Sequence, residues 1–384
     1  MDQRQYSTLI DVLRSLPDPR KARGKRHPWV VLLTVLAAGL ASGQQTAHAI
    51  AQWMTLHAEA LRLALPELVR LPSESTLLRT LRQIDYHMLE QAVAQLNAPQ
   101  TLAEERADCV LTPAGTRLLV QAVDGKAARG ASACGAPTHL VSLVGQGRGV
   151  VLAQAVVEQK RSEQSAVPAL LRGHDLSDTV ITMDALLTQR ALAQQIIDQG
   201  GYYLMIVKAN QARLRDNLAW FFDYPAIAAD HEHWDRVQTI TRAHGRLETR
   251  TLECTTADCG WLNWPGATSI ARRTCERQVM KTGKTSRTIS YAITNLPVRE
   301  TSAALLERLW RGHWAIESRS HYVRDVVLNE DHQHMHTGHA PEVIAALHTA
   351  LIALWRRAGW TNIADAVRAT AASVSAALSF VGAT

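Results

Sequence analysis

The sequence predicts a mixed α/β protein, on three observations. Apolar, β-branched runs at 117–123, 139–144 and 149–158 are separated by turn residues, and apolar runs at 179–183 and 202–207 then alternate with amphipathic segments. Long stretches with helical periodicity stand at both ends of the chain. Between about 224 and 296 the pattern returns to short strand-like runs. Strands in a row followed by alternating strand and helix build a mixed sheet covered by helices.

Residues 1–105 read as a helical N-terminal domain, a candidate for polyanion binding. Tyr6 to Leu16 is one amphipathic segment. The Pro-rich loop after it carries Arg20, Lys21, Arg23, Lys25, Arg26 and His27 against Asp18 alone. Pro28 stands where a helix starts, and WVVLLTVLAAGLASG runs from it to a glycine stop at Gly43. That run is shorter than the roughly 20 residues of a membrane span, so it reads as a buried helix. Further helices are expected near 46–64, 74–82 and 86–97, the second capped by Ser73 or Ser75.

Residues 106–223 read as the first part of the core. RLLVQAV ends at Asp124, and with HLVSLV and GVVLAQAVVE it forms an antiparallel meander. EQSAVPALLRGH is a helix, TVITM a buried strand ending at Asp184, LLTQRALAQQIIDQG a helix stopped by Gly200 and Gly201, and YYLMIV another buried strand. Residues 224–296 read as a β-rich insertion, and 297–384 as the helical remainder of the core with C-terminal helices at 302–323, 341–359 and 361–374.

Lys plus Arg number 41 and Asp plus Glu 35, a net charge of +6 that weakly favours a polyanionic partner. Five cysteines form no framework, which fits a reducing cytoplasm. Cys254 and Cys259 lack a second pair and read as ordinary thiols rather than a zinc site. No signal peptide is visible after Met1.

Asp124 and Asp184 occupy equivalent positions, each the first polar residue after an apolar strand. Strand ends are where α/β proteins place chemistry. Two such carboxylates suit a hard divalent cation. A strand-end Asp is also a common turn former, and Asp184 could cap a helix starting at Leu187. Glu317 is the best third carboxylate, with Glu330 and Asp331 as alternatives. Read as one helix, the segment places Trp310, His313, Glu317 and Arg324 on one face. Histidines 332, 334, 336 and 339 alternate as a metal tract would, although loop histidines often bind nothing.

At these residues the chain resembles the DDE transposases of bacterial insertion sequences, in the group of the H-repeat-associated proteins. The matching phrases are LPDPRKARGKRHP, VDGKAARG, VVEQKRSEQSAVPALL, TMDALLTQ, YYLMIVKANQ, HGRLETR and RGHWAIESRSHYVRDVVLNED, in family order across nearly the whole chain. The resemblance implies an RNase H-like core interrupted by the β-rich insertion. It implies Asp124, Asp184 and Glu317 as catalytic and metal-binding acids, holding two Mg²⁺ ions, with Mn²⁺ as a substitute. It implies metal-dependent cleavage and strand transfer at double-stranded DNA ends, by a homodimer on paired ends in the bacterial cytoplasm, nucleoid-associated when bound and with no membrane partner. In the family motif around the third acid an aromatic, an Arg and a Lys stand where this chain has Trp310, His313 and Arg324.

DNA contacts are expected from Lys126, Arg129, Lys208, His313 and Arg324 near the acids, and from Arg20, Arg23, Lys25 and Arg26 in the N-terminal loop. Asn210 is either a DNA contact or a helix cap, and Arg246 either a DNA contact or part of a solvated strand edge. Ser318, Tyr322 and Ala127–Ala128 depart from the family's usual Asn, Trp and Thr-Leu. An inactive or domesticated DNA-binding derivative is therefore the alternative reading.

Overall fold

The computed structural model describes residues 6–21, 25–128, 138–157, 163–172, 174–224, 234–256, 259–332 and 338–383. Its centre is a 10-stranded sheet. The strands are β1 (Cys109–Leu111), β2 (Arg117–Ala128), β3 (Thr138–Gly145), β4 (Val151–Val157), β5 (Thr179–Met183), β6 (Tyr202–Val207), β7 (Trp234–Ala243), β8 (Arg246–Thr255), β9 (Ser269–Val279) and β10 (Thr285–Thr294). The lateral order is β4-β3-β2-β5-β6-β10-β9-β8-β7, with β1 paired to β2. The meander β2-β3-β4 is antiparallel, whereas β5 pairs parallel with β2 and β6 parallel with β5. An antiparallel meander joined through its first strand to two parallel strands is the RNase H-like core. β5 is buried along its whole length, as a central parallel strand covered on both faces requires.

Two expectations change here. β2 does not stop before Asp124 but continues to Ala128, paired with β3 as far as Thr138. The apolar run ends at Val123, but the backbone ladder extends past it because β3 supplies partners. The β-rich insertion, expected as a separate region, is part of the same sheet. β10 pairs antiparallel with β6, Tyr291 opposite Val207 through Thr294 opposite Leu204. β6 would otherwise expose a bare edge, and the insertion covers it.

The helices are α1 (Leu9–Ser15), α2 (Trp29–Ala41), α3 (Ala47–Leu56), α4 (Ala58–Ala64), α5 (Glu74–Gln83), α6 (Tyr86–Asn97), α7 (Leu102–Ala107), α8 (Glu163–Arg172), α9 (Arg190–Asp198), α10 (Ala212–Asp223), α11 (Ala303–His313), α12 (Ala340–Arg357), α13 (Ile363–Ala371) and α14 (Val374–Val381). α2 buries every residue but Val30, as its uninterrupted apolar run requires. Its partners come from both ends of the chain. Leu32, Leu36 and Ile50 share one core with Leu347, Leu351 and Trp355 of α12 and Leu378 of α14. The N- and C-terminal helices thus form a single body, each fully buried Leu contributing about 1.5–3 kcal/mol. The helix expected over 46–64 breaks at His57, and α9 starts at Arg190, later than Leu187.

The helix expected over 302–323 also divides. α11 ends at His313, and two π-helical turns follow, Glu317–His321 and Val323–Val327. π-Turns are rare and concentrate at functional sites. Among the described residues no helix is long and apolar enough to cross a membrane.

Candidate active site

The parallel register of β2 and β5 sets Val123 opposite Met183, so the next residues along, Asp124 and Asp184, stand side by side. Asp124 Oδ1 accepts from the Gly125 amide at 2.9 Å. Asp184 Oδ1 accepts from the Leu186 amide at 2.7 Å, which makes it a turn former. Asn210 Nδ2, just past the end of the neighbouring strand β6, donates to the Ala185 carbonyl at 2.7 Å and fixes that turn. Glu317 enters from the first π-helical turn. All three acids line one cavity of about 410 Å³ with Lys208, Arg273, Arg277, His313 and Trp314.

Burial pushes the Asp124 carboxyl up to about 6, and the like charges of Asp184 and Glu317 push the same way, against His321 and the Gly125 amide. Glu317 is held below its ordinary range, first by its hydrogen bond with His321. His321 Nδ1 lies 3.2 Å from Glu317 Oε2 and 3.9 Å from Asp124 Oδ2. Burial pushes His313 down to about 4. Its Nδ1 lies 3.1 Å from Thr182 Oγ1, so His313 is a neutral wall of the cavity rather than a cation.

The remaining DNA-contact expectations divide. Lys208 is exposed and faces the cavity. Arg246 is exposed at the start of β8 and is not part of the cavity lining. Asn210 caps no helix: Gln211 is the N-cap residue of α10, and the Asn210 amide nitrogen donates to Ala185. Lys126 is corrected: its Nζ is buried, bonded to Asp325, and 4.0 and 3.9 Å from carboxylate oxygens of Glu330 and Asp331. Arg324 is corrected too. It is fully buried, with Nε 2.8 Å from Glu330 Oε2 and Nη1 2.8 Å from Gln154 Oε1. A shared face with Glu317 requires an α-helical repeat, and the wider π-turns rotate Arg324 off that face. The alternative acid Glu330 is consumed in this network, and neither it nor Asp331 lines the cavity.

In the N-terminal loop Arg20 pairs with Asp18 at 2.8 Å and lies over the Trp29 ring, and Lys25 pairs with Asp18 at 3.0 Å. Arg26 is exposed and lines a second cleft of about 730 Å³ with Lys21 and Arg79. Arg23, Arg129, His334 and His336 lie outside the described residues.

Sequence reasoning missed His321, Arg273 and Arg277. The spacing Glu317-x-x-x-His321 was a visible signal for the first. For the two arginines there was none, because only the β6–β10 pairing carries β9 to the cavity.

Gly125 stands close to the side chain of Glu163. A Cβ there would stand 2.3 Å from Cδ of the buried Glu163. Gly125→Ala is expected to destabilise the fold by about 1–3 kcal/mol, read as a lower urea midpoint, because the Glu163 carboxylate must move within a packed site. An unchanged midpoint would show that Glu163 yields freely.

Residues 116–355 match the family model described as Transposase DDE domain, and residues 10–96 match the model of its associated domain. YncI of Escherichia coli O157:H7, named as a candidate transposase, is 28% identical over 365 residues, 91% of this chain and 87% of that protein. YhhI of Escherichia coli K12, named as an H repeat-associated candidate transposase, is 29% identical over 237 residues, 59% of this chain and 61% of that protein. The solved piggyBac transposase synaptic complex with hairpin DNA covers 99% of this chain and 77% of that one at a TM-score of 0.44 and 8% identity, a likeness too slight to carry an argument.

Proposed function

The chain belongs to the DDE-domain transposase family, and from that premise we propose that it cleaves DNA at the ends of an insertion sequence and joins them to a target, with Asp124, Asp184 and Glu317 as the catalytic acids. The observation that carries this reading is the convergence of the three carboxylates on one cavity from three separate elements. The family supports a DNA-cutting enzyme in general; cleavage at element ends, strand transfer and the metal ions are the finer reading.

Burial is the main cause that pushes Asp124 up to about 6, and Asp184 and Glu317 add to it, so the three acids fit divalent cations, which would relieve their repulsion. Asp124, Asp184 and Glu317 would hold them, most simply two Mg²⁺ with Mn²⁺ as a substitute. When bound, such ions activate a water or a DNA 3′-OH and stabilise the leaving oxygen. The chain's own groups then do the positioning. Lys208 reaches a phosphate across the cavity mouth, while Arg273, paired with Glu307 at 2.8 Å, and Arg277, paired with Glu248 at 2.6 Å, line the wall beside it. His313, uncharged, packs beside Asp184 without competing for its carboxylate. Farther away, Arg26, Lys21 and Arg79 line a basic cleft for the duplex, and Arg246 offers a contact on the insertion. Two chains would hold two paired ends, in the bacterial cytoplasm where the DNA is.

The test is nicking of DNA bearing the element's own ends with Mg²⁺ or Mn²⁺, comparing wild type with Glu317→Ala. Metal-dependent nicking at the end, lost in the variant, is expected. Binding without nicking in wild type would favour an inactive derivative, the reading that the changed neighbours Ser318 and Tyr322 allow. Nicking that survives Glu317→Ala would remove Glu317 from the acids.

A further inference from the structure

His321 stands outside the three acids, yet it is in contact with one of them and close to another. Its Nδ1 is 3.2 Å from Glu317 Oε2 and 3.9 Å from Asp124 Oδ2. One donor atom from each of Asp124, Glu317 and His321 lies within 4.8 Å of the other two. The histidine is only 4% exposed, and its Nε2 has no hydrogen-bond partner among the described residues. An i,i+4 pair on a helix surface is worth a few tenths of a kcal/mol and explains neither that burial nor the approach of Asp124 from β2.

We propose that His321 is itself a metal ligand, so that Asp124, Glu317 and His321 hold one divalent cation through two carboxylate oxygens and an imidazole nitrogen. The proposal rests on the transposase reading only in sharing Asp124 and Glu317 with it. The first π-helical turn begins at Glu317 and ends at His321, and brings both side chains to the strand that carries Asp124. A cation there replaces the repulsion between two carboxylates with attraction to both, which the histidine cannot do without a charge of its own. The donor set also sets the ion. Imidazole suits Zn²⁺, Fe²⁺ and Ni²⁺ best and adds least for Mn²⁺ among the transition cations, whereas Mg²⁺ prefers oxygen donors and retained water. The imidazole therefore favours a transition cation over Mg²⁺ more than carboxylates alone would, and Mn²⁺ serves as the paramagnetic probe of the position.

The experiment is pulsed electron paramagnetic resonance of Mn²⁺ added to the full, metal-free chain without DNA. Wild type is expected to show nitrogen coupling from a directly bound imidazole, and its signature should change from ¹⁴N to ¹⁵N when the histidines are isotopically labelled. His321→Ala, checked for folding by circular dichroism, should lose the coupling and bind Mn²⁺ about tenfold or more weakly. Asp184→Asn should keep the coupling. No bound Mn²⁺ at millimolar concentration, bound Mn²⁺ without nitrogen coupling in wild type, or coupling that survives His321→Ala overturns the proposal. Absence of coupling in wild type overturns it even if the variant does not fold. End-specific nicking without nitrogen coupling leaves the transposase reading standing and removes the ligand, and coupling without nicking does the reverse.

Discussion

Asp124→Asn is expected to lower metal-dependent end cleavage by at least about a thousandfold, some 4 kcal/mol of barrier, because the substitution removes one of the three carboxylates that line the cavity. The same variant should be more stable than wild type when no metal is present. Burial and the neighbouring acids raise the Asp124 carboxyl to about 6 in the folded chain, above the ordinary Asp value near 3.9. For a carboxylate raised in this way the folded state holds its proton more tightly than the unfolded one. The stabilisation is complete below about pH 4 and is lost as pH rises through about 6. Wild type therefore loses stability over that window, and Asn, with no charge to desolvate, does not. Melting curves of both proteins in chelator at pH 5 and pH 8 test this, the variant melting a few degrees higher at pH 8 and the gap narrowing at pH 5. Equal melting temperatures at both pH values would mean that neither burial nor its neighbours raise the Asp124 carboxyl in the folded chain. Loss of activity with gain of stability is the pattern of a group placed for function at a cost to the fold.

Glu330→Ala is expected to destabilise the protein by about 3–5 kcal/mol, since it strands the fully buried Arg324 without its carboxylate. Burial by itself would push the Glu330 carboxyl up, but Arg324 and His348 outweigh it and hold it below the ordinary range. Its contribution is therefore present at neutral pH and is lost only as pH falls below about 4. Replacing Glu330 by Leu and Arg324 by Met together should cost far less than Glu330→Ala alone, because no lone charge then remains. Urea unfolding of the single and double variants measures the difference. If Arg324 instead served DNA, Arg324→Lys would weaken DNA binding at an unchanged urea midpoint, and the buried-network account would fail.

Much of the candidate site was legible because its parts are written locally. Asp184 directly follows an unbroken apolar strand, and Asp124 marks where the first strand's apolar run stops, so both could be found without the fold. Glu317 could be found by its spacing from Trp310 and His313 and by the family phrase around it. Lys126 and Arg324 were misassigned for one reason. A cation in a motif beside an acid reads as a phosphate contact, and only packing shows whether its partner is a phosphate or, as here, Asp325 and Glu330 of the same chain. His321 lay in plain view four residues from Glu317, but its meaning depends on Asp124, almost two hundred residues away in sequence.

The amino-acid sequence by itself determined the strand and helix content, the positions of the acids along the chain and the family, because apolar periodicity and strand-end carboxylates are local properties. Tertiary structure alone decided which charges are spent and which are free. It carried the insertion's strands onto the edge of β6, joined the terminal helices into one core, and opened the third acid's helix into π-turns. Each outcome follows from long-range pairing: an exposed edge must be covered, an apolar face must be buried, and a charge in the interior must find its opposite.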